Sequence, residues 1–245
     1  MNYQIKPIFL GETTVDRSLY EYRYPVGESL RIAFGCFAVW AGDKIILVDS
    51  GIPVQDEIRR LELTFGYMDD PPSLGKQLKE MGINPEAVET IILTHLHWDH
   101  CWNLELFPNA RIYVQRSELR HAIAPNPHEY AAYTLRKDTN CPGWFRALDQ
   151  LELLEGDMQI APGIRAITTP GHTPGSQSVL VDTAAGLYAI VSDFALTRRC
   201  YDECVMTGIF TSADDWYASY RKLRVYDPTV LSTHELSTYD QAVYG

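Results

Sequence analysis

The chain has 245 residues, 46% hydrophobic and 22% charged, which allows a sizeable core and leaves no room for a disordered-type composition. Its formal net charge of -11 and the lack of a basic block argue against nucleic acid as a partner. The longest apolar run, residues 32–41, is far too short to span a bilayer, and residues 1–18 carry no export-type leader. Five cysteines at irregular spacing (Cys36, Cys101, Cys141, Cys200, Cys204) suit reduced thiols better than a disulfide framework. The expectation is a cytoplasmic protein, monomeric or homodimeric, acting on a small molecule without a membrane partner.

In chain order, residues 3–15 and 30–40 are rich in β-branched and aromatic residues and read as strands. Ala41-Gly42-Asp43-Lys44 reads as the hairpin turn into a buried strand, Ile45-Ile46-Leu47-Val48. That strand stops at Asp49-Ser50-Gly51, where Asp49 is either turn chemistry or a carboxylate that supports a site at the sheet edge from behind. Phe65-Gly66-Tyr67-Met68 forms an apolar stretch that reads as a substrate lid or as plain packing. Residues 73–81 show helical spacing of Leu74, Leu78 and Met81, stopped by Gly82.

Next comes Ile91-Ile92-Leu93-Thr94-His95-Leu96-His97-Trp98-Asp99-His100, an apolar strand that runs into three imidazoles and a carboxylate. Neutral imidazole and carboxylate suit Zn²⁺ and similar divalent ions. His95 and His97 point the same way if the segment is extended. By chance, such spacing arises in on the order of one in a few thousand shuffled chains, so a metal site is the better reading.

Arg111-Ile112-Tyr113-Val114 is a further strand and residues 117–124 begin a helix. Residues 126–143 read as a surface excursion containing helix. His121 and His128 follow no strand end and are taken as structural. Residues 151–157 and 158–160 look like two strands about a turn. Three more apolar runs then end on chemistry-bearing residues: one on Pro170-Gly171-His172-Thr173-Pro174-Gly175, one on Asp193, one on His234. Five of the seven histidines therefore sit where one sheet edge could gather them. Strand-rich halves on either side of about residue 110 suggest two facing sheets.

Taken together, Thr94-His95-Leu96-His97-Trp98-Asp99-His100, the Pro170 to Gly175 motif, Asp193, His234 and Asp49-Ser50-Gly51 resemble the metallo-β-lactamase superfamily across essentially the whole chain. The resemblance implies an α/β fold, an αββα sandwich of two mixed β-sheets flanked by helices, as a single domain over residues 1–245. It implies two divalent metal ions, zinc first, with manganese or iron as alternatives. His95, His97 and His172 would hold one, Asp99, His100 and His234 the other, and Asp193 would bridge them.

Val114-Gln115-Arg116-Ser117-Glu118, Leu154-Glu155-Gly156-Asp157 and Pro162-Gly163 are similar to the N-acyl homoserine lactonase branch. That branch implies a quorum-quenching hydrolase that opens a lactone or related cyclic ester or amide by attack of a metal-bridging hydroxide, with Asp99 as the catalytic proton carrier. Two departures are present: Leu196 stands where the branch carries a carbonyl-binding tyrosine, and Cys101-Trp102-Asn103 replaces a Gly-Gly pair. Trp98, Trp102, Phe194 and Leu196, with Phe65 and Met68 from the apolar stretch, either line the substrate pocket or pack the sheets. The alternatives are an iron-dependent dioxygenase on the same fold, a glyoxalase II-like thioesterase, and a non-enzymatic metal-binding module. The thioesterase adds a glutathione-binding region after the last histidine, whereas eleven residues follow His234 here.

Overall fold

The computed structural model describes residues 2–42, 44–54, 56–58, 72–135 and 141–245. The Phe65 to Met68 stretch lies outside them. Two mixed sheets face each other. The first has the order β1-β2-β3-β4-β5-β6, from β1 (Gln4–Asp16), β2 (Ser29–Ala41), β3 (Lys44–Val48), β4 (Thr90–Ile92), β5 (Arg111–Gln115) and β6 (Leu151–Leu154). In the second, β7 (Met158–Ala161), β8 (Ile164–Thr168), β9 (Gln177–Thr183), β10 (Gly186–Ile190) and β11 (Thr229–Leu231) run in the order β11-β10-β9-β8-β7.

Alternation along the strands explains the layering, because successive side chains point to opposite faces. In β3, Ile46 and Val48 face inward with Ile92 of β4 and meet Val179, Val181, Ile164 and Leu231 of the second sheet. Leu47 and Ile91 face outward and are covered by Leu74 and Leu78 of helix α1 (Leu74–Glu80). On the far side, Leu180 and Ala189 turn outward against Trp216 and Leu223 of helix α2 (Ala213–Tyr226). The result is helix, sheet, sheet, helix, an αββα sandwich of the expected class.

One expected detail differs. Residues 151–161 do form two strands, but β6 pairs with β5 and β7 with β8, so they belong to opposite sheets rather than to one hairpin. The division between sheets therefore falls at residues 155–157 and not near residue 110. The crossover is held by Gln115, whose side chain bonds both the N–H and the C=O of Gly156. Among the described residues no helix is long and apolar enough to cross a membrane.

Candidate metal centre

Parallel strands deliver their C-terminal ends to one edge, and the residues that follow β3, β4, β10 and β11 meet there. His95, His97, His172 and Asp193 form one group and Asp99, His100 and His234 another, each with its nitrogen and oxygen atoms within 4.8 Å of one another. All but Asp99 are buried. Asp193 stands between the groups. Its Oδ1 lies 3.1 Å from Nε2 of both His100 and His234, while Oδ2 lies 3.3 Å from Nε2 of His172 and 3.9 Å from that of His95. Asp99 Oδ2 is 3.4 Å from His100 Nε2 and 3.6 Å from His234 Nε2.

The outer nitrogen of four imidazoles is anchored, which fixes the inner one. His234 Nδ1 is 2.7 Å from the Ala33 carbonyl and His172 Nδ1 3.0 Å from that of Ile209. A carbonyl can only accept, so each Nδ1 donates and each Nε2 is turned toward the site. His100 Nδ1 lies 2.9 Å from Asp49 Oδ2. The Thr94 hydroxyl donates to Asp49, which leaves its oxygen to accept from His95 Nδ1 at 3.1 Å. Asp49 also accepts the Thr94 backbone N–H at 2.7 Å, so this fully buried carboxylate ties β3 to the turn that carries the histidines.

These residues fit a pair of cations. Nε2 of His95 and of His97 is buried and makes no hydrogen bond. Leaving such atoms without a partner costs about 1–3 kcal/mol each, a cost that a bound cation would remove. Burial, reinforced by the neighbouring imidazoles, holds His95 well below its ordinary value and His97 at about 3, so both stay neutral. Burial opposes charge on His100 as well, but Asp99, Asp193 and Asp49 outweigh it and push its pKa well up. Burial likewise works against ionised Asp99 and Asp193; His100 and His234 prevail and keep both carboxyls below the usual range. The Asp99 and Asp193 carboxylates thus offer the negative charge that favours divalent ions.

A cavity of about 290 Å³ opens over the cluster, lined by Tyr20, Trp98, Asp99, His128, Ala131, Ile209, Phe210 and Thr211, with His97, His172, Asp193 and His234 at its floor. Trp98 lies where a pocket residue was expected. Trp102, Phe194 and Leu196 do not line the cavity. The Trp102 indole donates to Glu57, Phe194 stacks on Trp216 at 5.2 Å, and Leu196 is buried in the apolar core. Adjacency to a ligand in sequence says nothing about direction when the intervening turn reverses the side chain. His128, taken as structural, is at the cavity wall instead, whereas His121 pairs with Glu129 at 3.0 Å.

Sequence reasoning missed Tyr20, Phe210 and the supporting role of Glu118. Buried Glu118 accepts from Leu96 N–H and the Tyr133 hydroxyl through Oε1, and from the Thr173 hydroxyl and Gly175 N–H through Oε2. It joins the His95 to His97 turn to the His172 loop. The sequence marks this buried acid only as a Glu in the first turn of a helix and as the end of the Val114 to Glu118 motif, neither of which tells of its four hydrogen bonds.

The metallo-β-lactamase superfamily profile matches residues 36–234. The chain belongs to this superfamily. An N-acyl homoserine lactonase of Bacillus cereus is 30% identical over 212 residues, covering 82% of this chain and 80% of its own. An N-acyl homoserine lactonase of Agrobacterium fabrum is 35% identical over 169 residues, 65% of this chain and 62% of the other. Among solved structures, an N-acyl homoserine lactone hydrolase with N-hexanoyl-L-homoserine at its catalytic metal centre superposes with a TM-score of 0.78 at 23% identity, over 98% of this chain and 96% of that one. This chain carries a dinuclear metal-binding site and is a metal-dependent hydrolase.

Proposed function

We propose that the chain is a lactonase that opens the ring of an N-acyl homoserine lactone or a close cyclic ester. The observation that carries this reading is the single carboxylate of Asp193 facing both ligand groups, one oxygen toward each. His95, His97 and His172 would hold one ion, Asp99, His100 and His234 the other, with Asp193 shared. The imidazole and carboxylate set favours zinc, with manganese or iron able to take the same places. When bound, such a pair would supply Lewis acidity, lowering the pKa of bound water to roughly 7 and polarising a carbonyl.

The chain's own groups do the rest. Ionised Asp99, at the edge of the cavity, takes the proton that attacking water loses and returns it to the ring oxygen as the acyl C–O bond breaks. The new C–O bond joins the water oxygen to the carbonyl carbon, and the product is a hydroxy acid whose carboxyl proton passes to solvent. Trp98, Ala131, Ile209 and Phe210 offer apolar surface for an acyl chain. Five free thiols, three of them buried, fit the reducing cytoplasm. We read residues 1–245 as one domain acting on a small molecule, as a monomer or a homodimer.

The test is metal analysis with a proton-release assay on N-hexanoyl homoserine lactone and, beside it, a glutathione thioester. Two ions per chain and one proton per lactone opened are expected. One iron with oxygen uptake, or preference for the thioester, would displace this reading in favour of the dioxygenase or the thioesterase.

A further inference from the structure

Ester hydrolysis gathers negative charge on the carbonyl oxygen, and a preset donor aimed at that oxygen is worth more than one that must be ordered during reaction. Leu196, three residues beyond Asp193, brings no polar group and is sealed in the core. Tyr20 stands at the cavity. Its ring packs edge-on against the His234 imidazole, 5.6 Å between centroids, and the residue is 4% exposed. The hydroxyl has no hydrogen-bond partner among the described residues, yet it is not one of the sealed-in polar atoms, so it opens on the cavity.

The residue is also held still. Its N–H donates to the Arg17 carbonyl at 2.9 Å, and its carbonyl accepts from the Cys200 thiol at 3.5 Å. The next side chain, buried Glu21, is gripped by Arg17 Nε at 3.0 Å, by Arg199 at 2.7 Å and by the Thr197 hydroxyl at 3.1 Å. Those contacts fasten the turn after β1 to the segment that follows Asp193. A ring with one edge on a ligand histidine, its backbone tied at both ends and its hydroxyl free is a preorganised donor.

We propose that Tyr20 donates a hydrogen bond from its phenol to the ester carbonyl oxygen as negative charge gathers there, and then to the carboxylate of the ring-opened product. The proton stays on the phenol, so no bond of Tyr20 is made or broken. This role rests on the lactonase reading above.

Tyr20→Phe keeps the ring on His234 and removes only the donor. With both metals loaded, kcat on N-hexanoyl homoserine lactone should fall about 100-fold with KM nearly unchanged. Calorimetric affinity for the ring-opened N-hexanoyl homoserine should weaken about 10-fold. Metal content and melting temperature should match the parent. An active parent with Tyr20→Phe equal to it in both turnover and product affinity overturns the role alone. Loss of metal along with activity also overturns it, making Tyr20 a support for His234. A parent that opens no lactone overturns the hydrolytic reading and the role with it.

Discussion

Asp49 shows how much one side chain can organise. It sits at φ +63°, in the left-handed region that side chains rarely adopt, as does Ser192 at φ +47° beside Asp193. Such backbone costs of order 1–3 kcal/mol and persists where surrounding bonds over-determine it. Here the bonds are those from Thr94 and His100 to the Asp49 carboxylate. Asp49→Asn keeps the shape but exchanges one acceptor oxygen for a donor that faces other donors. Metal affinity, measured by competition with a chromophoric chelator, should fall about 10–100-fold. An unchanged affinity would mean that Asp49 is only a turn residue.

Elements meet at the site because one helix carries a carboxylate and one loop carries a glycine. The helix Arg116–Ile123 brings Glu118 against Gly175, and a Cβ added at Gly175 would fall on the Glu118 backbone nitrogen and Cα. Backbone on both sides leaves nothing able to move aside. Gly175→Ala should therefore lift the loop that carries His172, breaking the Gly175 and Thr173 bonds to Glu118. The expected loss is about 3 kcal/mol, read from the urea midpoint of the metal-free protein. A midpoint equal to the parent's would show that the loop tolerates displacement.

At the scale of the molecule, Glu21 links the turn after β1 to the helix Arg198–Asp202 through Arg17 and Arg199. Burial alone would raise its pKa, but the hydrogen bonds from Arg17, Arg199 and Thr197 outweigh it and hold the carboxyl below its ordinary 4.5. A lowered folded pKa means that the unfolded chain binds the proton more readily. The stabilisation is therefore complete above 4.5 and is lost as pH falls through the lower folded value. The stability gap between the parent and Glu21→Gln, both metal-free, should be constant near neutrality and close in acid. A gap that widened in acid would reverse the sign and refute the assignment.

What the amino-acid order determined by itself was the candidate ligand set and the strands that end on it. Metal binding demands particular side chains, and strand ends announce themselves by short apolar runs, so both signals are local. The αββα class followed from the superfamily resemblance that those motifs carry. Only the tertiary structure decided the cavity wall, where Tyr20, His128 and Phe210 arrive on three segments distant in sequence. It also decided that Trp102, Phe194 and Leu196 turn into the protein, and that the short turn at residues 155–157 crosses between sheets. A turn of that length reads alike in either case, because sheet membership is settled by which partner strand offers its hydrogen-bonding edge, and no stretch of sequence contains that partner.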